Sequence, residues 1–284
     1  NAYIITSNET NTLQSFKESL LKDPEYEDIL ITKEVAEENI DETTLLVVVD
    51  TNKVNYVEAP EILTKTDKIV VIDHHRRSAD YIENATLTFQ EVYASSAAEL
   101  VTEILQYVSI KINLKTIEAE SLYAGIMMDT KNFTFKTGVR TFEAAAYLRK
   151  CGVDIIRVKK WFQSDLASFN KIAEIVKKAE IVNDSIAIAS YNRKTKDASL
   201  ICAKAADELL TISNITASFV LGNIGDKICI SGRSIGDINV QIILEKLGGG
   251  GHITLAGAQL EGLTMEEAKQ ELIIRINEYF TEIE

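Results

Sequence analysis

Two short apolar runs, each closed by an acidic residue, limit this chain more than any other feature. Leu45-Leu46-Val47-Val48-Val49 runs into Asp50, and Ile69-Val70-Val71-Ile72 runs into Asp73-His74-His75. Neither alternates polar with apolar residues, so neither reads as a strand with one wet face. Continuous runs of this length suit strands of a parallel sheet covered on both faces. Further strand candidates are Ala2–Thr6, Lys68–Ile72 (which contains the second run) and Leu87–Val92; helical spacing marks Thr12–Leu21, Ser95–Val108, Thr116–Met128 and Arg140–Lys150. Strands alternating with helices predict an α/β domain with a mainly parallel sheet.

The pattern changes beyond residue 153. From Asp154 to Ile181 the apolar residues Ile155, Val158, Phe162, Leu166, Phe169, Ile172 and Ile175 recur three or four apart, which predicts one or two connecting helices. After them, Ile186–Ser190 reads as a strand and Ala198–Leu210 as a helix. Ile215–Ile224 and Lys227–Arg233 read as a hairpin around Gly225-Asp226, a favourable turn pair. Asn239–Leu247 reads as a short helix before the glycine run Gly248–Gly251; a strand over Ile253–Leu260 and a helix over Met265–Phe280 close the chain. The expected organisation is an α/β domain over 1–153, a helical linker over 154–181 and a smaller α/β domain over 182–284.

Of the 284 residues 46% are hydrophobic, enough for two sizeable cores, yet no apolar run approaches the roughly 20 residues that span a bilayer. No basic stretch followed by an apolar one marks a secretory signal. The net charge of -13 argues against tight binding along long DNA or RNA, which needs a basic stripe, but it leaves room for a small anion held by local cations or metals. Cys151, Cys202 and Cys229 have no metal-ligand spacing and read as reduced thiols of a cytoplasmic protein.

The chemistry gathers at element ends. Ligands bind beyond the carboxyl ends of parallel strands, where Asp50 and Asp73-His74-His75 stand, and Asp129 ends the apolar stretch Leu122–Met128. Carboxylates with imidazole form a donor set for Mn²⁺ or a similar divalent ion. Taken singly, Asp50 and Asp129 also suit turn or helix-cap positions, and a lone histidine is more often structural. Gly248-Gly249-Gly250-Gly251-His252 permits a backbone close to a phosphate but lacks the spacing of a P-loop or a dinucleotide fingerprint. Nearby, Arg233 in Ser231-Gly232-Arg233-Ser234 can grip a phosphate, and Asn239 can read a base or sugar edge.

Together these residues resemble the DHH–DHHA1 phosphoesterase family along nearly the whole chain. Asp50, Asp73-His74-His75 and Asp129 stand at the family's second, third and fourth motifs, and Gly248–His252 at its glycine-histidine segment. The surroundings are most similar to the family's cyclic-di-AMP phosphodiesterases, notably Asp73-His74-His75-Arg76-Arg77 and Tyr93-Ala94-Ser95-Ser96-Ala97-Ala98-Glu99. The resemblance implies a two-metal Mn²⁺ enzyme that opens cyclic-di-AMP to pApA. It makes Asp50, His74 and Asp129 metal ligands and Asp73 an orienting partner of His74. It gives His75 a phosphate or proton-transfer role. It gives Arg233, Ser234, Asn239, Gly249, Gly250, Gly251 and His252 the nucleotide, held across an interdomain cleft. It further implies a cytoplasmic region of a membrane-anchored bacterial protein, itself without membrane contact, and a homodimer. Activity on short oligonucleotides and pAp, or a nucleotide-binding module without catalysis, are the alternatives. The family's first motif, His-x-x-x-Asp-x-Asp, has no counterpart here, Asn8-Glu9-Thr10-Asn11 being no substitute. The chain as given is therefore expected to begin downstream of that motif, to bind metal weakly and to hydrolyse little.

Overall fold

The valine runs take the form their composition favours. In the computed structural model, which describes residues 2–6, 14–77, 79–108, 112–195 and 197–283, they are the first two strands of a three-stranded sheet. The chain divides into two compact units, Asn1–Gln163 and Ser164–Glu284.

The first unit opens with β1 (Ile4–Ile5), α1 (Gln14–Leu20), β2 (Leu30–Ile31) and α2 (Lys33–Asn39). The helix expected from Thr12 is described from Gln14; Thr12 lies outside the described residues, as do Asn8–Asn11. β1 and β2 pair in parallel as a small sheet of their own. The main sheet holds β3 (Leu46–Val49), β4 (Ile69–Asp73) and β5 (Leu87–Gln90) in that order, all parallel. β2 and α2 were not anticipated, because Leu30–Asn39 is short and rich in Glu; α2 is started instead by Thr32, whose hydroxyl accepts from the Val35 N–H.

Register divides the main sheet into two unlike faces. Val48, Ile69 and Val71 are buried with Leu63 and Ile82. On the other face Val47 pairs with Val70 and Val70 with Leu87, while Val49 pairs with Ile72 and Ile72 with Phe89. There the flanking strands leave Val47 48%, Val49 51%, Leu87 56% and Phe89 37% exposed. Among the described residues, the expectation of a sheet covered on both faces thus holds for one face only.

Four helices follow: α3 (Ala97–Tyr107), α4 (Thr116–Asp129), α5 (Val139–Lys150) and α6 (Ile155–Trp161). The last three share a core of Ala119, Ile126, Ala144, Leu148, Val158 and Trp161, against which Ala98 of α3 packs. Trp161 meets Phe16 edge to face with centroids 5.2 Å apart and donates to Ser19 Oγ at 3.1 Å. The helical stretch over 154–181 therefore resolves into distinct pieces. α6, capped by Asp154, packs within the first unit, and α7 (Leu166–Val176) lies in the second. Its last residues form a strand, β6 (Glu180–Val182), since Ile181 sits in a pleat rather than on a helical stripe.

The second unit is a six-stranded sheet in the order β10-β11-β9-β8-β7-β6. Here β7 is Ile186–Tyr191, β8 Ala217–Ile224, β9 Lys227–Ser234, β10 Gly250–His252 and β11 Leu255–Glu261. Only the β7–β8 pair is parallel, joined through α8 (Ala198–Leu209); β8 and β9 form the expected hairpin. Alternation assigns Phe219 and Leu221 to a core shared with α9 (Val240–Glu245) and α10 (Met265–Ile283), and Val220 to one shared with α7 and α8. All three cysteines are free, Cys202 and Cys229 buried and Cys151 half-buried.

The apolar face of the main sheet invites self-association. Replacing Phe89 or Val47 with Lys should raise the protein concentration at which sedimentation velocity detects dimers or larger species. The effect on folding stability should stay within about 0.5 kcal/mol, as for other surface positions.

Candidate metal centre

The central strand aims the chemistry. β4 ends on Asp73, and its alternation turns Val71 and Asp73 to the buried side. Asp73 is fully buried and meets donors on both oxygens: Asn52 Nδ2 donates to Oδ2 at 2.5 Å, while the His75 N–H at 3.1 Å and His75 Nδ1 at 2.8 Å reach Oδ1. Burial opposes its charge, but the hydrogen bonds from His75 and Asn52 outweigh it and hold the carboxyl below the usual aspartate range.

Residue by residue, the orienting roles differ from those the resemblance implied. Asp73 holds His75, not His74, because side chains two apart at the strand end lie on the same side. The His74 ring, 9% exposed, instead directs Nδ1 to the Ala94 carbonyl at 3.3 Å. A carbonyl only accepts, so Nδ1 carries a proton, and in the neutral ring Nε2 keeps its lone pair. The same holds for His75 against the Asp73 carboxylate. When neutral, both imidazoles therefore present lone-pair nitrogens, the form that ligates metals.

Two carboxylates face His74 Nε2: Asp50 Oδ1 at 3.3 Å and Asp129 Oδ2 at 3.6 Å. Asp50 follows β3 directly and its N–H donates to the Ile72 carbonyl at 3.0 Å, but its backbone turns left-handed, with φ 65°. Aspartate tolerates this better than most side chains. Asp129 is the last residue of α4, at the negative end of the helix dipole, an unfavourable place for a carboxylate without a cation. Burial first, then the Asp50 charge, pushes its pKa up to about 6. Burial pulls the His74 imidazole down, but the hydrogen bond with Asp50 and the charges of Asp129 and Asp50 outweigh it and raise its pKa. The segment after Asp129 is tightly wound: Lys131, Asn132 and Phe133 are all left-handed, and Thr130 ties them by accepting from the Phe133 N–H at 2.9 Å.

One ligand atom each from Asp50, His74 and His75 lies within 4.8 Å of the others, and Asp129 adjoins through His74. Hard carboxylate oxygens, two imidazole lone pairs and an excess of negative charge fit a divalent cation.

The residues expected to hold a nucleotide lie in the second unit. Arg233 is 8% exposed, with Nε 3.2 Å from Asp207 Oδ1 and Nη1 on the Gly232 carbonyl at 2.9 Å. Ser234 Oγ accepts from the Gly236 N–H, and Asn239 caps α9 by accepting from the Gln241 and Ile242 N–H groups. The glycine run is not a loop throughout: Gly250–His252 pairs with β11. A Cβ at Gly249 would lie 2.2 Å from the Gly257 carbonyl oxygen, and one at Gly251, whose φ is +152°, 2.3 Å from that of Leu255. These two glycines let strands approach; Gly250 opens to solvent. Pairing of His252 with Leu255 and of Leu255 with Arg233 puts His252 and Arg233 in one cross-strand row.

Sequence reading missed Asn52 as part of the site. Its signal was present, an amide two residues beyond Asp50, but an amide there equally suits an ordinary turn after a strand. Ala94, which contributes only a carbonyl, had no signal of its own.

Two family comparisons match. Residues 5–126 match the DHH family, N-terminal domain, and residues 183–282 match the DHHA1 domain. The chain is 47% identical over 251 residues to a protein of Geobacillus thermodenitrificans named cyclic-di-AMP phosphodiesterase GdpP, covering 88% of this chain and 38% of that protein. It is 45% identical over 252 residues to cyclic-di-AMP phosphodiesterase PdeA of Listeria monocytogenes, with the same coverage. The chain thus spans about two fifths of the length of these relatives. An exopolyphosphatase-related protein from Bacteroides fragilis shares the fold, with a TM-score of 0.79 at 21% identity over 94% of this chain and 86% of that one.

Asp129 carries a sign that can be measured. Because its folded pKa lies above the ordinary value of 3.8, its contribution to stability is fully present below that value and is lost as pH rises through about 6. In metal-free protein, Asp129→Asn should match the wild-type thermal midpoint near pH 4 and exceed it above about pH 7. Calorimetry across that range checks it; a variant less stable than wild type at the higher pH contradicts it.

Proposed function

Because this chain belongs to the DHH family and carries its DHHA1 domain, we propose that Asp50, His74, His75 and Asp129 form the hydrolytic centre of a cyclic-di-AMP phosphodiesterase producing pApA. The observation that carries the reading is the convergence of these donors at the carboxyl edge of the parallel sheet. The names of the relatives at 47% and 45% identity support the substrate.

Asp50, His74 and Asp129 would hold a divalent ion, with Mn²⁺ the preferred candidate. When bound, such an ion supplies Lewis acidity to a phosphodiester oxygen and acidifies water. The chain's own groups do the rest. Asp73, kept ionised by its donors, fixes His75 through Nδ1. His75, whose side chain is 47% exposed, can then take a proton at Nε2 and, once protonated there, donate to a phosphoryl oxygen. The Ala94 carbonyl holds His74 with Nε2 toward the two carboxylates. In the second unit, Arg233, tied to Asp207 of α8, is the proposed grip on the nucleotide, with Ser234 and Asn239 and with Gly249–Gly251 and His252, which β11 separates from β9, as its proposed companions. The substrate is a cyclic dinucleotide or a short oligonucleotide rather than a long nucleic acid, consistent with the charge of -13.

Mn²⁺ titration followed by electron paramagnetic resonance tests the centre. His74→Ala and Asp50→Asn should each weaken binding by about tenfold or more, the scale set by losing one of few ligands. Chromatography of cyclic-di-AMP, pApA and pAp incubated with the protein and Mn²⁺ tests the reaction. Cyclic-di-AMP consumed first, however slowly, with pApA accumulating, is the expected order. Preferential loss of pApA or pAp would instead favour the oligonucleotide activity named for a Mycoplasma genitalium relative at 29% identity.

A further inference from the structure

Glu99 is 1% exposed near the start of α3, an expensive place for a carboxyl group unless donors surround it. They do so in an unusual register. Ser96 caps α3, its Oγ accepting from the Glu99 N–H at 3.0 Å. In a capping box the third-position carboxylate returns the bond to the N–H of the capping residue. Glu99 reaches one residue further: Oε2 accepts from Ser95 Oγ at 2.5 Å and from the Ser95 N–H at 3.3 Å. Ala94, Ser95 and Ser96 are each at most 2% exposed. The same turn is tied from the other side, the Ala94 N–H donating to the Glu91 carbonyl at 3.2 Å and the Glu91 N–H to the Asp73 carbonyl at 3.1 Å.

The carbonyl projecting from this clamped turn is the one that receives His74 Nδ1. We propose that Glu99 is a positioning residue whose buried carboxyl, through Ser95, fixes the Ala94 carbonyl and so holds His74 as the Nδ1–H tautomer with its Nε2 lone pair turned to Asp50 and Asp129. This rests on the reading of that cluster as a metal centre. A carboxyl kept only for stability would be a poor choice here, since apolar residues fill buried positions at least as well. What hydrogen bonds add over apolar packing is direction, and direction is what an imidazole on a single carbonyl requires. The chain of contacts from Glu99 to Ser95 to Ala94 to His74 never touches the reacting groups, so Glu99 acts only through the histidine.

The test uses the whole chain, labelled with ¹⁵N-histidine and free of metal, at a pH where His74 is neutral. Long-range ¹H–¹⁵N correlation reads the tautomer, and electron paramagnetic resonance reads Mn²⁺ affinity. Wild type should show His74 as Nδ1–H. Glu99→Ala should populate the Nε2–H form and weaken Mn²⁺ binding about tenfold. Glu99→Gln, which keeps an acceptor oxygen for Ser95, should restore the wild-type tautomer and most of the affinity. If Glu99→Ala does not fold by circular dichroism, Ser95→Ala removes only the 2.5 Å bond and should shift both readouts the same way by a smaller factor. A folded variant with tautomer and affinity unchanged overturns the inference. His74→Ala separates the two levels: if it weakens Mn²⁺ while Glu99→Ala does not, this inference alone fails; if it leaves Mn²⁺ untouched, the metal centre itself fails.

Discussion

Like charges crowded at one end of a small parallel sheet set the terms for the rest of the first unit. Asp50, Asp73 and Asp129 converge there with His74 and His75, and each carboxylate is accommodated differently. Asp73 is saturated by three donors and stays charged. Asp50 remains 54% exposed on a left-handed backbone that any β-branched residue would resist. Asp129 meets neither relief: it is half-buried, near Asp50 and at the wrong end of a helix dipole. A carboxylate held in this way suits a positive charge supplied from elsewhere, as the proposed metal centre requires.

The polypeptide reaches this arrangement by ordinary means. β3 and β4 deliver Asp50 and Asp73 to the same edge because parallel strands end at the same level. α4 delivers Asp129 from the side, and Thr130, itself buried, ends the helix there by bonding back to the Ile126 carbonyl at 2.6 Å. The turn before α3 supplies no acid and no base, only a carbonyl of fixed direction. The histidines are ordered by what lies behind them rather than by what lies in front.

Much of this was legible in the sequence, and the boundary of legibility has a physical form. Continuous valine runs declared a parallel sheet, and the acidic residues behind them marked the edge at which the donors converge. Gly225-Asp226 declared the β8–β9 hairpin. What escaped were elements whose formation depends on distant partners: the two-residue strand β2, the strand β6 whose Ile181 continues a helical spacing, and β10, whose glycines read as a loop until β11 stands beside them. The helical stretch after residue 153 belongs to both units because Val158 and Ile172 find different cores, which spacing alone does not distinguish. Which aspartate serves which histidine was not readable either, since adjacent residues at a strand end differ only in the side to which they point.

The position of Asp129 bears on the fate of the protein as well as on its chemistry. A cation that binds the folded chain and not the unfolded one adds stability in proportion to the logarithm of its concentration over its dissociation constant. On the proposed metal centre, a bound cation would relieve the load that Asp129 carries above about pH 6, and so would link abundance to ion supply. Where divalent ions are scarce, more of the population would open and meet proteases; where they are plentiful, the same molecules would persist. The carboxylate at the end of α4 would then act as a gauge by which the lifetime of the protein follows the metal content of its surroundings.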